Sequence, residues 1–353
     1  MPVAHQDLPP PESYGEATNP APGWRNDLET RISYGPVHSR RLGMSIGINN
    51  IPPKHCTCSC GYCQVGRTTA MSIEPCRFFG PEAILADVSQ RVSEVRAMGG
   101  VIGHLTFVAD GEPTLDIDLG LEIEALRALG IPVAVITNGT LLWRDDVREA
   151  LERADWVSVK IDAVDDSLWR RVNRSHPGLN LKTILGGIGR FAGGCSGTIA
   201  TETMLIGSVN DSEEAVTETA ECIAGIAPDT AYIGTPHRPP VERRFRVPSP
   251  ASLKRASRIF SERIGRVELL GQEADSFVST ENARSDILSI SSVHPMEADA
   301  IKRLLADAGA GWEVLEDLLS SGELTKTRYR GRVFYARRSR GRRQPDAEGR
   351  VGI

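Results

Sequence analysis

Between residues 31 and 270 the chain alternates short β-rich runs with amphipathic helical stretches, and this alternation constrains the fold more than any other feature. Strand, helix and further strand form the repeating unit of a parallel sheet, because the crossover helix returns the chain to the same end of the sheet. Strand runs stand at residues 45–49, 104–110, 132–138, 156–162, 199–206 and 231–235. Between the first two, Pro81 suits a first helical position and Gly99 a stop. Ile84, Leu85, Val88, Val92 and Val95 recur there at helical spacing. After Asn210, Asp211 or Ser212 can cap a helix running to about Ile226. The pattern is that of an α/β chain and fits a partial (β/α)6 barrel. A doubly wound open sheet would produce the same alternation, and periodicity alone does not choose.

The character changes after Arg244-Phe245-Arg246 and the prolines Pro248 and Pro250. A helix over 251–264 and a strand-like 267–270 are followed by helical patterns at 281–288, 297–308 and 312–319. Strand patterns at 323–329 and 333–337 then flank a turn at Arg330-Gly331. Helices followed by a hairpin give the order of a winged-helix module. The expected organisation is a leader over 1–30, rich in Pro, Gly and acidic residues and disordered, then a core over 31–270. An α+β winged-helix-like module over 271–337 and a basic disordered tail over 338–353 follow.

Composition narrows the setting. The 353 residues are 40% hydrophobic and 25% charged, as in ordinary globular proteins. A net charge of -5 argues against bulk nucleic-acid binding by the whole chain, while leaving room for a local basic patch such as Arg337–Arg343. No apolar run approaches the roughly 18 residues of a membrane span, and the first residues lack the apolar core of a signal peptide. Seven cysteines, four of them within eight positions, do not form a disulfide framework and suit a reducing cytoplasm.

That cluster reads Lys54-His55-Cys56-Thr57-Cys58-Ser59-Cys60-Gly61-Tyr62-Cys63-Gln64. It follows a strand, on a loop with Pro52, Pro53 and Gly61, where thiolates can converge on one point. Zinc could use the four sulfurs, or His55, in a tetrahedral site. An iron–sulfur cluster held by Cys56, Cys60 and Cys63 would instead leave one iron open to a ligand. Cys58 is then a bystander, and Cys76, Cys195 and Cys222 read as isolated small apolar residues.

The Cys-x3-Cys-x2-Cys spacing of Cys56, Cys60 and Cys63 resembles that of radical S-adenosylmethionine (SAM) enzymes. Asp110-Gly111-Glu112-Pro113, closing the second strand run, resembles their "GGEP" segment, with Asp110 in place of the first glycine. The residues 34–43, 63–69 and 136–142, together with Arg238-Pro239-Pro240, resemble a little-characterised branch similar to wyosine-type tRNA-modifying enzymes. The likeness extends over residues 32–336. It implies a [4Fe-4S] cluster on Cys56, Cys60 and Cys63 that chelates SAM through its open iron. It places the backbone of Tyr62 by the adenine, and Gly111 and Glu112 at the methionine amine. Thr137, Asn138, Lys160 and Asp162 would contact the SAM carboxylate or ribose. Lys160 also has an ordinary reading as a solvated strand-end charge.

The chemistry implied is reductive cleavage of SAM to a 5′-deoxyadenosyl radical that abstracts hydrogen from a substrate, a tRNA base or a small molecule. It implies an electron donor such as flavodoxin or ferredoxin, with RNA as a candidate partner and no membrane. Two alternatives stand beside it: a radical SAM enzyme acting on a peptide or protein, and a zinc-stabilised winged-helix regulator of nucleic acid.

Overall fold

The computed structural model describes residues 32–271, 277, 279 and 282–338. The expected leader and, Arg338 aside, the expected tail lie outside the described residues. The chain runs through β1 (Ser33–Ser39), β2 (Gly43–Ile48), β3 (His55–Cys56), β4 (Ala70–Met71) and α1 (Pro81–Ala97). Next come β5 (His104–Phe107), α2 (Leu119–Arg127), β6 (Val133–Thr137), α3 (Asp145–Leu151), β7 (Trp156–Lys160), α4 (Asp166–Asn173) and α5 (Leu181–Gly194). The core continues with β8 (Thr198–Met204), α6 (Glu213–Ile226), β9 (Thr230–Gly234), α7 (Pro250–Ser261) and β10 (Val267–Leu269). The expected caps form: α1 opens on Pro81, and Ser212 Oγ accepts from Ala215 N at the start of α6.

The eight-stranded sheet runs β1-β2-β5-β6-β7-β8-β9-β10. From β2 onward each strand pairs in parallel with its successor in that order. A doubly wound sheet would reverse its order at a switch point; this one never does, so the partial barrel is the architecture. Its end strands do not pair with each other, and the barrel stays open. Period-two alternation builds its two faces. Val133, Val135, Val157, Val159, Ala231 and Ile233 join the large cluster beneath the helices. Ala134, Trp156, Ala200 and Tyr232, from the same strands, form a separate cluster on the other face.

Strand β1 was not among the expected elements, because Gly35-Pro36 reads as a breaker. The strand lies antiparallel on an edge, where proline is tolerated, and its register with β2 shifts between Tyr34 and Val37. The strand-like 267–270 run, at the end of the expected core, joins the barrel sheet as β10.

The C-terminal elements are α8 (Ala283–Val293), β11 (Met296–Glu297), α9 (Ala298–Asp307), α10 (Glu313–Ser320), β12 (Leu324–Tyr329) and β13 (Arg332–Arg337). The short β11 was not read from the sequence; it completes a three-stranded sheet ordered β11-β13-β12, the winged-helix arrangement. Arg330 and Gly331, both at positive φ (50° and 79°), form the tight hairpin turn. Ile287, Ile290, Ile301, Leu304, Leu315 and Leu318 are fully buried, each worth about 1.5–3 kcal/mol of apolar transfer. The same apolar cluster takes in Tyr34 of β1, with Val37 and Val108 packed against it. The barrel edge and the C-terminal elements therefore share a core. Among the described residues no helix is long and apolar enough to cross a membrane.

Candidate active site

The cysteine loop leaves the C-terminal end of β2, the end where parallel barrels build their sites. Short β3 and β4 pair at its base, and backbone bonds stitch it to its surroundings. Lys54 N donates to Asp110 O (2.8 Å) and Glu112 N to His55 O (3.0 Å), locking it to the segment after β5. Gly61 N donates to Val172 O (3.0 Å) and Glu242 N to Gly61 O (2.9 Å), locking its other side. Gly111 is required by this closeness: a Cβ there would lie 1.9 Å from the His55 carbonyl oxygen.

Each of the three expected ligand cysteines faces a different N–H donor. Asn138 Nδ2 lies 3.8 Å from Cys56 Sγ, Asn173 Nδ2 3.6 Å from Cys60 Sγ, and Lys54 Nζ 3.5 Å from Cys63 Sγ. Cys58 is buried and faces the Thr57 hydroxyl (3.8 Å) in place of an N–H; its thiol is pushed well up by its hydrogen bond to Cys60, which in turn pulls the Cys60 thiol down. Half-buried sulfurs on one loop, each supplied with a hydrogen-bond donor, are the donor set a cluster of thiolate-ligated irons uses. All seven cysteines are free thiols.

The remaining expected residues fall into two networks. In the first, Glu112 is buried, and its Oε1 accepts from Thr114 N (3.2 Å), Thr114 Oγ1 (2.6 Å) and Thr137 Oγ1 (2.5 Å). Among the described residues its Oε2 accepts only from Asn138 N (2.8 Å), so that oxygen keeps room for another donor. Burial raises the carboxyl above its ordinary value against these four bonds. Asn138 also donates to Thr57 Oγ1 (2.7 Å), tying the end of β6 to the cysteine loop.

In the second network, Asp162 accepts from Tyr62 Oη (2.6 Å), Asn173 Nδ2 (2.7 Å) and Met204 N (2.8 Å). Its carboxyl is raised by burial. Lys160 Nζ donates to Glu202 Oε1 (3.0 Å) and stands 5.4 Å from the Tyr62 ring centroid. Burial disfavours its charge, but Glu202 and Asp162 outweigh it and raise the Lys160 pKa. Glu202 also pairs with Arg41. Burial opposes its ionisation, yet Arg41 and Lys160 together hold it at about 2. Lys160 is thus one half-buried end of an ionic triad centred on the buried Glu202, not a free solvated charge.

Sequence reasoning missed Lys54, Asn173, Arg41 and Glu202. Glu202 carried a signal, since an acidic residue inside an apolar and β-branched strand is rarely buried without a partner. Asp110, standing where a glycine was expected, was the signal for Lys54: the two form a buried pair at 3.6 Å. Asn173 closes α4 and carried no signal at all.

A sequence model of the radical SAM superfamily matches residues 50–220. A UPF0026 protein of Methanocaldococcus jannaschii is 44% identical over 314 residues, 88% of this chain and 97% of that protein. A UPF0026 protein of Synechocystis is 33% identical over 60% of this chain and 78% of its own length. Among solved structures, TYW1 with a lysine-pyruvate adduct bound superposes with a TM-score of 0.50 at 16% identity, covering 68% of this chain and 78% of that one. At that identity the likeness speaks for the fold.

Proposed function

From the premise that the chain belongs to the UPF0026 family and is a radical SAM enzyme using a [4Fe-4S] cluster and SAM, we propose that Cys56, Cys60 and Cys63 are the cluster ligands and that the strand ends around them hold SAM. The observation that carries this reading is the set of three separate donors, Asn138, Asn173 and Lys54, each at one of these sulfurs. Held by these cysteines, a cluster would supply the single electron for reductive cleavage of SAM.

The chain's own residues bind, orient and exclude water. Glu112 receives the methionine amine on Oε2, beside Gly111, whose lack of a side chain lets the cysteine loop close over it. Thr137 and Asn138 hold Glu112 in place and present the end of β6. Lys160, with two N–H bonds beyond the one to Glu202, is the cation for the SAM carboxylate or ribose. Asp162 acts from within, fixing Tyr62 and Asn173, and through Tyr62 the backbone that borders the adenine. An electron donor of the flavodoxin or ferredoxin type and a reducing cytoplasm complete the setting.

For the substrate, the C-terminal elements favour an anionic partner such as RNA. The third helix of the winged-helix arrangement, α10, exposes Glu313, Glu316 and Asp317, which would repel a phosphate backbone. The hairpin exposes Lys326, Arg328 and Arg330, and Tyr329 Oη donates to Pro236 O (2.8 Å) just past β9, at the rim of the site. A polyanion would therefore approach along the hairpin. Reconstituting the protein anaerobically with iron and sulfide, then adding SAM and dithionite, tests the reading. 5′-Deoxyadenosine should accumulate, and its absence from a cluster-loaded protein would refute it.

A further inference from the structure

Lys54 lines the cysteine loop, and the SAM reading gives it no contact with SAM itself. Its side chain is 6% exposed, its Nζ lies 3.5 Å from Cys63 Sγ, and its nearest carboxylate, Asp110 Oδ1, is 3.6 Å away and also 6% exposed. The backbone holds it there at a cost. Lys54 adopts φ 62°, a left-handed conformation that is strained for a side chain of this kind. Its N–H donates to Asp110 O, and its carbonyl accepts from Thr69 N (3.1 Å) and Ala70 N (3.2 Å). A buried lysine–aspartate pair is weak evidence for stability, because well-packed apolar residues often serve as well. Strain and desolvation spent to aim an ammonium at one cysteine sulfur call for another explanation.

We propose that Lys54 and Asp110 set the reduction potential of the cluster, Lys54 raising it and Asp110 restraining that rise. This rests on the ligand assignment above. Accepting an electron adds negative charge beside Cys63, and the adjacent ammonium stabilises that form both as a charge and as a donor to sulfur. Net charge, hydrogen bonds to sulfur and solvent exposure are the levers that tune such clusters. Burial keeps water from screening the pair. Asp110, placed beyond the ammonium, opposes reduction more weakly. The same residue accounts for the departure from the glycine expected at this position.

The test is an anaerobic redox titration of the reconstituted full chain, without SAM, following the reduced cluster by electron paramagnetic resonance. Lys54→Met should shift the reduced-to-oxidised ratio at a fixed potential about tenfold toward oxidised, about 59 mV for one electron. Asp110→Asn should shift it in the opposite direction, and Lys54→Arg should stay close to the native value. Opposite signs are the signature, since a structural role alone has no reason to produce them. If Lys54→Met fails to assemble a cluster, Asp110→Asn still decides. An unchanged or lowered potential in Asp110→Asn, or shifts of the same sign in both charge-removing variants, overturns the proposal. A native protein that carries no cluster would instead refute the ligand assignment beneath it.

Discussion

Replacing Glu202 by Gln is the most quantitative perturbation the site offers. Glu202 is buried between Arg41 and Lys160. These cations lower its carboxyl from 4.5 to about 2 despite the opposing effect of burial. At about 1.4 kcal/mol per tenfold change in proton affinity, that descent corresponds to about 3 kcal/mol of folding stability at neutral pH. The folded value lies below the unfolded one, so the stabilisation is complete above about pH 4.5 and is lost as pH falls from there toward 2. Glu202→Gln removes the charge while keeping the shape, and leaves Arg41 and Lys160 facing each other, a loss of the same order. Urea unfolding of the cluster-free protein at pH 7 should show the variant less stable by about 3 kcal/mol. The gap should narrow as the pH is lowered below 4.5. Equal stability at pH 7, or a gap that stays constant into acid, would show that the triad does not hold Glu202 in this way.

Gly111→Ala places a methyl against the His55 carbonyl; overpacking of this kind costs about 1–3 kcal/mol, and the variant should unfold at lower urea and retain less iron after reconstitution. Glu112→Ala should weaken SAM binding about 10- to 150-fold, as loss of a charged hydrogen bond does, with iron content retained in equilibrium dialysis samples; unchanged affinity would move the amine site elsewhere. Reversing Lys326, Arg328 and Arg330 to Glu should weaken RNA binding in filter assays and flatten its salt dependence by about three phosphate contacts, whereas equal binding at low salt would remove the hairpin from the partner interface.

The barrel was legible because its strands alternate so regularly, and because Pro81, Gly99 and Ser212 punctuate its helices where capping chemistry wants them. What periodicity could not give was the strand order, which depends on which edges meet. β1 escaped because its Gly35-Pro36 pair is informative only once an edge position is known. β11 escaped because two residues carry no period. The site divides in the same way. Cysteines and the Gly111-Glu112-Pro113 turn are recognisable by spacing, as are the strand ends that bear Thr137, Asn138, Lys160 and Asp162. Their partners are not, since Asn173 reaches Cys60 from 113 positions away and Arg41 reaches Glu202 from 161. Long-range polar contacts of that kind leave no local pattern. Only a residue out of character with its surroundings, such as Glu202 in a strand or Asp110 in a glycine position, hints at them.

The central claim is the choice of three cysteines out of four. Iron and acid-labile sulfide, counted after anaerobic reconstitution of Cys56→Ala, Cys60→Ala, Cys63→Ala and Cys58→Ala, test it most directly. The expected result is about four irons and four sulfides per chain in the native protein, as thiolate-held clusters contain. Cys58→Ala should keep a similar content, and the other three variants should lose the cluster absorbance together with SAM cleavage. Full loss of iron in Cys58→Ala, with retention in any one of the other three, would contradict the assignment.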